Sequence, residues 1–329
     1  MKPEQLRGSL LGQALGDALG FVVEAEPPEV SRTYVEQWLR TGRAAERAHP
    51  DFSFGQYSDD TQLSRELLRS YRQSGRWDPA AFAGRIAELF RDQRDVGAGR
   101  GTRSAALRLL SGVAWFEAGT PAPYAGNGST MRAGQLGLLF SDPEAMGRAA
   151  REQSRITHLD SRCAAGAVAV ARAVSLAASS GPVEPARFLA EVAGAVEPDD
   201  ESMAGAILGL QEWASYRPEQ AAELVHRRGL DPAHPVWRGI SAYVIPSVIW
   251  SLYAFLRSPD DYWESICTAI AVGGDTDTMA AITGAISGAR LGPSALPRDL
   301  LAHLTDRGEW GAAELAELAD ACAAVAQSS

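Results

Sequence analysis

Lysine is almost absent from this chain. Lys2 is the only one among 329 residues, so nearly all positive charge is carried by arginine. That excludes a mechanism built on a Schiff-base lysine. Asparagine is equally rare, with Asn127 alone. Depletion of both points to a gene that avoids AT-rich codons, and it makes the one retained asparagine worth locating. Cysteine is sparse: Cys163, Cys267 and Cys322 are too widely spaced for a disulfide framework or a zinc pattern. Each sits in an apolar, alanine-rich context and reads as a small core residue, which fits a reducing cytoplasm. No run of about 20 uninterrupted apolar residues appears, the length a membrane-spanning helix requires. The most apolar stretches, Ala164–Ala178 and Ile240–Leu256, are broken by Arg172 and Pro246. The opening MKPEQLRGSLLGQ has no signal-peptide core. A cytoplasmic location and no membrane partner are therefore expected. Net positive charge is lacking too. The formal value is -10, which disfavours docking onto a nucleic-acid backbone through a general basic surface. A nucleotide-like ligand in a local pocket stays open.

What is present is helical. Over residues 4–23, Leu6, Leu10, Leu11, Ala14, Leu15, Ala18 and Leu19 form a helical stripe. Gly8, Gly12, Gly16 and Gly20 repeat every four residues along one side. Glycine costs about 1 kcal/mol per position in a helix interior, so the stripe predicts that another backbone passes very close. Further helices are expected at 59–73, 79–91, 102–111, 143–153, 162–178, 185–195, 201–214, 218–227, 239–256, 261–271, 278–290 and 312–326. Strand alternation, linkers and fixed repeats are not evident. The expectation is one compact all-α domain over residues 1–329, with Gly-rich loops near 92–101, 117–130 and 272–277. Loops of that kind are where binding residues concentrate.

Two acidic clusters each open a predicted helix: Ser58-Asp59-Asp60-Thr61, and Asp275-Thr276-Asp277-Thr278 after Gly273-Gly274. Helix capping accounts for one Asp per helix start. It does not account for two, twice. Were the two ends to meet, four carboxylates would repel unless a cation bound them. An all-oxygen ligand set selects a hard ion, Mg²⁺ or Mn²⁺, over zinc. Gly126-Asn127-Gly128-Ser129-Thr130-Met131-Arg132 encloses the sole asparagine between two glycines; a simple turn and a binding loop both fit. His158, in Thr157-His158, is open to a structural or a binding role.

Together these stretches resemble the ADP-ribosylglycohydrolase family, which includes the dinitrogenase reductase-activating glycohydrolase. The matching segments are Gly8–Glu24, Tyr57–Thr61, Gly97–Ala105, Gly126–Arg132, Thr157–His158 and Gly273–Ala280, in family order. The paired SDDT and GDTDT motifs are specific; the Gly-rich loops alone are weak. The resemblance implies an all-α multi-helix orthogonal bundle with two Mg²⁺ or Mn²⁺ ions. It implies Ser58, Asp59, Asp60, Asp275, Asp277 and Thr278 as metal ligands, with Asp277 shared. Glu24 matches the acidic residue after the first helix to which the family gives a catalytic or gating role, and either Glu24 or Asp60 is expected to act as general acid or base. Gly97, Gly99, Gly101, Thr102, Gly126, Asn127, Gly128, Ser129 and His158 are implied as holding the diphosphate and ribose. Asp17 is expected to support the site without binding metal. Ser58 stands where many members carry Thr, and either offers a hydroxyl. The implied activity is hydrolysis of the bond between ADP-ribose and a protein, nucleic-acid or small-molecule acceptor, with ADP-ribose as product. A two-metal phosphatase or nucleotide pyrophosphatase, and a non-catalytic ADP-ribose binder, are the alternatives.

Overall fold

A computed structural model describes residues 2–228 and 238–328. Among them the chain forms helices α1 (Pro3–Phe21), α2 (Pro28–Tyr34), α3 (Asp59–Ser74), α4 (Pro79–Arg91), α5 (Arg100–Leu110), α6 (Leu136–Leu139), α7 (Pro143–Thr157) and α8 (Ser161–Ala177). The second half adds α9 (Pro185–Val196), α10 (Glu201–Gly209), α11 (Pro218–Arg228), α12 (Val244–Arg257), α13 (Tyr262–Ile270), α14 (Thr276–Leu291), α15 (Arg298–Leu301) and α16 (Ala312–Ser328). The fold is all-α. The described residues include isolated β-bridges but no named strand. No helix among them is long and apolar enough to cross a membrane.

Local chemistry explains several starts. Asp78 and Asp142 each accept hydrogen bonds from the first free N–H groups of α4 and α7. In both cases a proline follows at the first helical position, where its missing N–H costs nothing. Asp160 caps α8 in the same way through the amide of Arg162.

The centre of the fold is the antiparallel pair α1 and α14. The glycine stripe of α1 meets a stripe of small residues on α14. A Cβ on Gly8 would fall onto the carbonyl oxygen of Gly288, one on Gly12 onto that of Gly284, and one on Gly16 onto that of Ala280. One on Gly20 would fall onto that of Thr276. The axes approach this closely because no side chain intervenes. Tyr262 and Thr276 bond the α1 carbonyls of Gly12 and Gly20, each at 2.8 Å. Almost every residue of α14 is buried, as expected for a helix surrounded by others. The register has a direct consequence: the last turn of α1 lies against the first turn of α14.

The expected helix at 239–256 begins only at Val244. Residues 239–243 instead form an irregular segment, with isolated bridges at Ile240 and Tyr243, that stitches two loops together. Ile240 exchanges backbone bonds with Gly273 and Asp275, while Ala242 accepts from Asn127 and Val244 donates to Ala125. Loop-to-loop pairing overrides the helical tendency of the apolar run. The expected helix at 201–214 stops at Gly209 and tightens into a 3-10 turn over Leu210–Glu212. The short helices α2, α6 and α15 were not expected; the first and third open at or after prolines that read as turns.

Candidate active site

Ser58 is the N-cap of α3. Its hydroxyl accepts from the Asp60 amide at 3.3 Å and donates to Asp60 Oδ2 at 2.9 Å. Asp17, from α1, completes the cap from outside: it accepts from the Ser58 amide (2.8 Å), the Thr61 amide (2.9 Å) and the Thr61 hydroxyl (2.6 Å). With the helix start satisfied by Asp17 and Ser58, Asp59 and Asp60 are not consumed as caps. At the other helix start, the Thr278 amide donates to Asp277 Oδ1 at 2.8 Å. The two starts meet where Thr278 Oγ1 donates to Asp60 Oδ2 at 3.4 Å.

The result is a crowd of carboxylates. Oxygens of Asp17, Asp60 and Asp277 lie within 4.8 Å of one another, as do those of Glu24, Asp275 and Asp277. Burial, then the charge of neighbouring carboxylates, holds Asp59, Asp60 and Asp275 well above the ordinary carboxylate range. Burial likewise raises Asp277, against the opposing hydrogen bond from Thr278. Asp17 is pushed up to about 7 by burial and by Asp277. Glu24 is half-buried at the edge of the cluster; burial, with Asp277, Asp275, Asp59 and Asp17 adding to it, pushes its carboxyl up to about 10. Crowded acids without a counter-charge disfavour ionisation in this way. Asp60 Oδ1 is buried and has no hydrogen-bond partner among the described residues. An orphaned carboxyl oxygen within an all-oxygen donor set fits a hard cation.

A cleft opens from this cluster. It is lined by Glu24, Asp59, Asp60, Asp275, Asp277 and Thr278 at one end. Gly97, Gly99, Gly101, Thr102, Gly126, Asn127, Gly128 and His158 line the rest. Gly97 takes a φ of +78°, a conformation that only glycine adopts without strain. Gly99 is the N-cap of α5 and provides no side-chain cap; of the backbone N–H groups at that helix start, a feature suited to anions, the Gly101 amide donates to the Tyr124 hydroxyl at 3.2 Å. A Cβ at Gly101 would collide with the Tyr124 ring and His158 Nε2. The imidazole of His158 lies nearly parallel to the Tyr124 ring, with centroids 5.8 Å apart. Burial and the nearby Arg132 push its pKa down to about 3.

Two expected site residues do not line the cleft. Ser58 is turned to Asp60 as a cap. Ser129 is fully buried, with its hydroxyl 2.9 Å from that of Ser154. Asn127 lines the cleft, but its amide is already engaged: it donates to Asp275 Oδ2 and to Ser247 Oγ. Tyr124, Met131 and Ala242 also line the cleft and were not anticipated. Tyr124 precedes the Gly126 loop by two residues, and an aromatic in that position was the available signal. Ala242 arrives from the stitched segment and left no local signal.

An all-α scaffold that joins two acidic helix starts to a glycine-rich cleft has a solved counterpart. An ADP-ribosylglycohydrolase-related protein complex superimposes with a TM-score of 0.73 at 25% identity, covering 98% of each chain. Scaffold and cleft therefore define an all-helical glycohydrolase. The family model for ADP-ribosylglycohydrolase matches residues 2–329, and the chain belongs to that family. Human ADP-ribosylhydrolase ARH3 is 29% identical, over 89% of this chain and 87% of that protein. The ADP-ribosyl-[dinitrogen reductase] glycohydrolase of Rhodospirillum rubrum is 27% identical, over 90% and 89%. An uncharacterised protein of Archaeoglobus fulgidus is 31% identical, over 92% of both.

Proposed function

We propose that this enzyme hydrolyses the glycosidic bond joining ADP-ribose to an acceptor, and that it does so with two Mg²⁺ or Mn²⁺ ions. The observation that carries the metal reading is the buried, unpartnered Asp60 Oδ1 inside the carboxylate crowd. Ser58, Asp59, Asp60, Asp275, Asp277 and Thr278 would hold the ions. When bound, such ions supply positive charge for an attacking oxygen and a template for ribose hydroxyls. The chain's own groups do the rest. Glu24, at the half-open edge, is suited to move a proton as general acid or base. Asp60 keeps one oxygen bonded to Ser58 and Thr278 and the other without a protein partner. Gly97, Gly99, Gly101 and Thr102, with Gly126, Asn127, Gly128 and His158, form the arm for diphosphate and the adjoining ribose. Ser129, paired with Ser154, holds that arm from behind.

Incubation with a panel of ADP-ribosylated proteins, nucleic acids and small molecules, with product identification by mass spectrometry, tests this reading. Release of intact ADP-ribose is expected. Release of phosphate or AMP instead would move the assignment to phosphoryl chemistry.

A further inference from the structure

Arg132 is a buried charge with no direct ion pair; the Asp59 carboxylate acts on it only from a distance. It is fully buried, and among the described residues none of its hydrogen bonds goes to a carboxylate. Its four hydrogen bonds all go to neutral acceptors: Gln153 Oε1 (2.8 Å), the Gln153 carbonyl (2.9 Å), the Gly128 carbonyl (2.9 Å) and the Thr157 hydroxyl (2.8 Å). Burial lowers its pKa to about 9, which leaves it charged at neutral pH. Isolated buried cations are costly and are ordinarily paired. This one sits directly behind the Gly126–Gly128 wall of the cleft.

The bond to Thr157 continues. Thr157 Oγ1 is 2.8 Å from His158 Nδ1. A threonine hydroxyl has one hydrogen to give and lone pairs to accept with. Arg132 is only a donor, so one lone pair is taken. If Nδ1–H also donated to this oxygen, the hydroxyl hydrogen would have no acceptor that the structure provides. With the hydroxyl donating to Nδ1, the hydroxyl and Nδ1 are both satisfied, and the imidazole proton is on Nε2. That nitrogen faces the cleft, where a Cβ on Gly101 would lie 2.8 Å from it and one on Gly126 3.4 Å. It has no hydrogen-bond partner among the described residues.

We propose that Arg132 is a positioning residue: through Thr157 it fixes His158 as the tautomer that presents Nε2–H to the cleft, as a donor for the anionic diphosphate of the ligand. The chain Arg132–Thr157–His158 delivers the pull of a buried guanidinium to the cleft while keeping the cation itself out of the ligand's reach. A free arginine there would compete for the site carboxylates; a neutral, polarised N–H does not. The diphosphate assignment rests on the function proposed above, but the tautomer does not.

The test is the imidazole nitrogen spectrum of ¹⁵N-histidine-labelled protein, with the His158 signal assigned by its loss in His158→Gln. The ligand-free wild type is expected to show Nε2–H. Thr157→Val removes the hydroxyl and is expected to let the Nδ1–H form appear and to weaken ADP-ribose binding about tenfold. Thr157→Ser is expected to restore both. Arg132→Gln, if it folds, is expected to behave like Thr157→Val, and the Thr157 pair decides the matter if it does not fold. An Nδ1–H wild type, or a Thr157→Val protein that keeps Nε2–H, overturns the proposal. An Nε2–H wild type that does not bind ADP-ribose leaves the tautomer standing and removes the proposed function.

Discussion

The side-chain amide of Asn127 donates to Asp275 Oδ2, joining residues 148 positions apart. The only asparagine of the chain thus ties the Gly126–Gly128 loop to the acidic start of α14. The same amide donates to Ser247 at 2.9 Å. Asn127→Ala should loosen loop and carboxylate together. Leaving a buried polar partner unsatisfied costs about 1–3 kcal/mol, so the melting temperature should fall. Metal affinity, measured by titration calorimetry, should fall with it. A variant that melts lower but binds metal as tightly as wild type would confine Asn127 to stability.

Turnover should cease on chelation and return with Mg²⁺ or Mn²⁺. Asp277 belongs to both groups of converging carboxylates, so Asp277→Ala should lose metal and activity together while the fold survives. Removing one acid also relieves repulsion among the others. Elemental analysis showing wild-type metal content in this variant contradicts the assignment.

Glu24→Gln keeps the shape and removes the proton-carrying group. Loss of a general acid or base typically costs about 10² to 10⁴ in rate. The fall should appear in kcat, with ADP-ribose affinity little changed. An unaltered kcat would leave Glu24 as a structural element just after α1.

His158 makes stability depend on pH. Its folded pKa, about 3, lies below the usual histidine value of about 6.5. Below 6.5 the unfolded chain takes up a proton that the folded chain refuses. The contribution is complete above pH 6.5 and is lost progressively as the pH falls toward 3. Between pH 7 and 5 the loss is on the order of 2 kcal/mol. His158→Gln should therefore lose less stability than wild type over that interval in denaturant titrations. Parallel pH profiles would show that the ring is protonated without cost.

Gly12→Val should fail in a different manner. A Cβ there meets the carbonyl of Gly284, and backbone cannot move aside as a side chain can. Overpacking costs about 1–3 kcal/mol or more. Because the same pairing sets the start of α14 beside the end of α1, whose Asp17 holds the start of α3, metal affinity should drop in whatever fraction folds. A Gly12→Val protein with wild-type melting temperature would mean that the helices have room to part.

The sequence carried some of this plainly and some not at all. Asp78-Pro79 and Asp142-Pro143 announce their helices through local capping chemistry. Two aspartates at each of two helix starts exceed what capping needs, so the acidic ends stood out. The glycine stripe on α1 announced a close neighbour but not which one. Gly284 and Gly288 lie in an alanine-rich stretch where small residues attract no notice, and pairing across more than 260 positions has no local signature. Residues 239–243 read as helix because an apolar run hides the difference between packing sideways and pairing by backbone. Ser129 looked like a ligand residue by position in its loop; which way a loop side chain turns is decided by Ser154, a neighbour the loop does not contain.

The α1–α14 pairing also bears on how the molecule comes into being. A ribosome releases α1 more than 250 residues before its partner exists. Until then a helix that is almost wholly buried in the finished protein has no surface to lie on. Contacts of such sequence separation slow folding, and transiently exposed apolar surface invites aggregation. The acidic site needs the first turn of α14 beside the end of α1 and the start of α3, so it is assembled late in synthesis, and a nascent chain stalled before residue 276 should take up no metal at all.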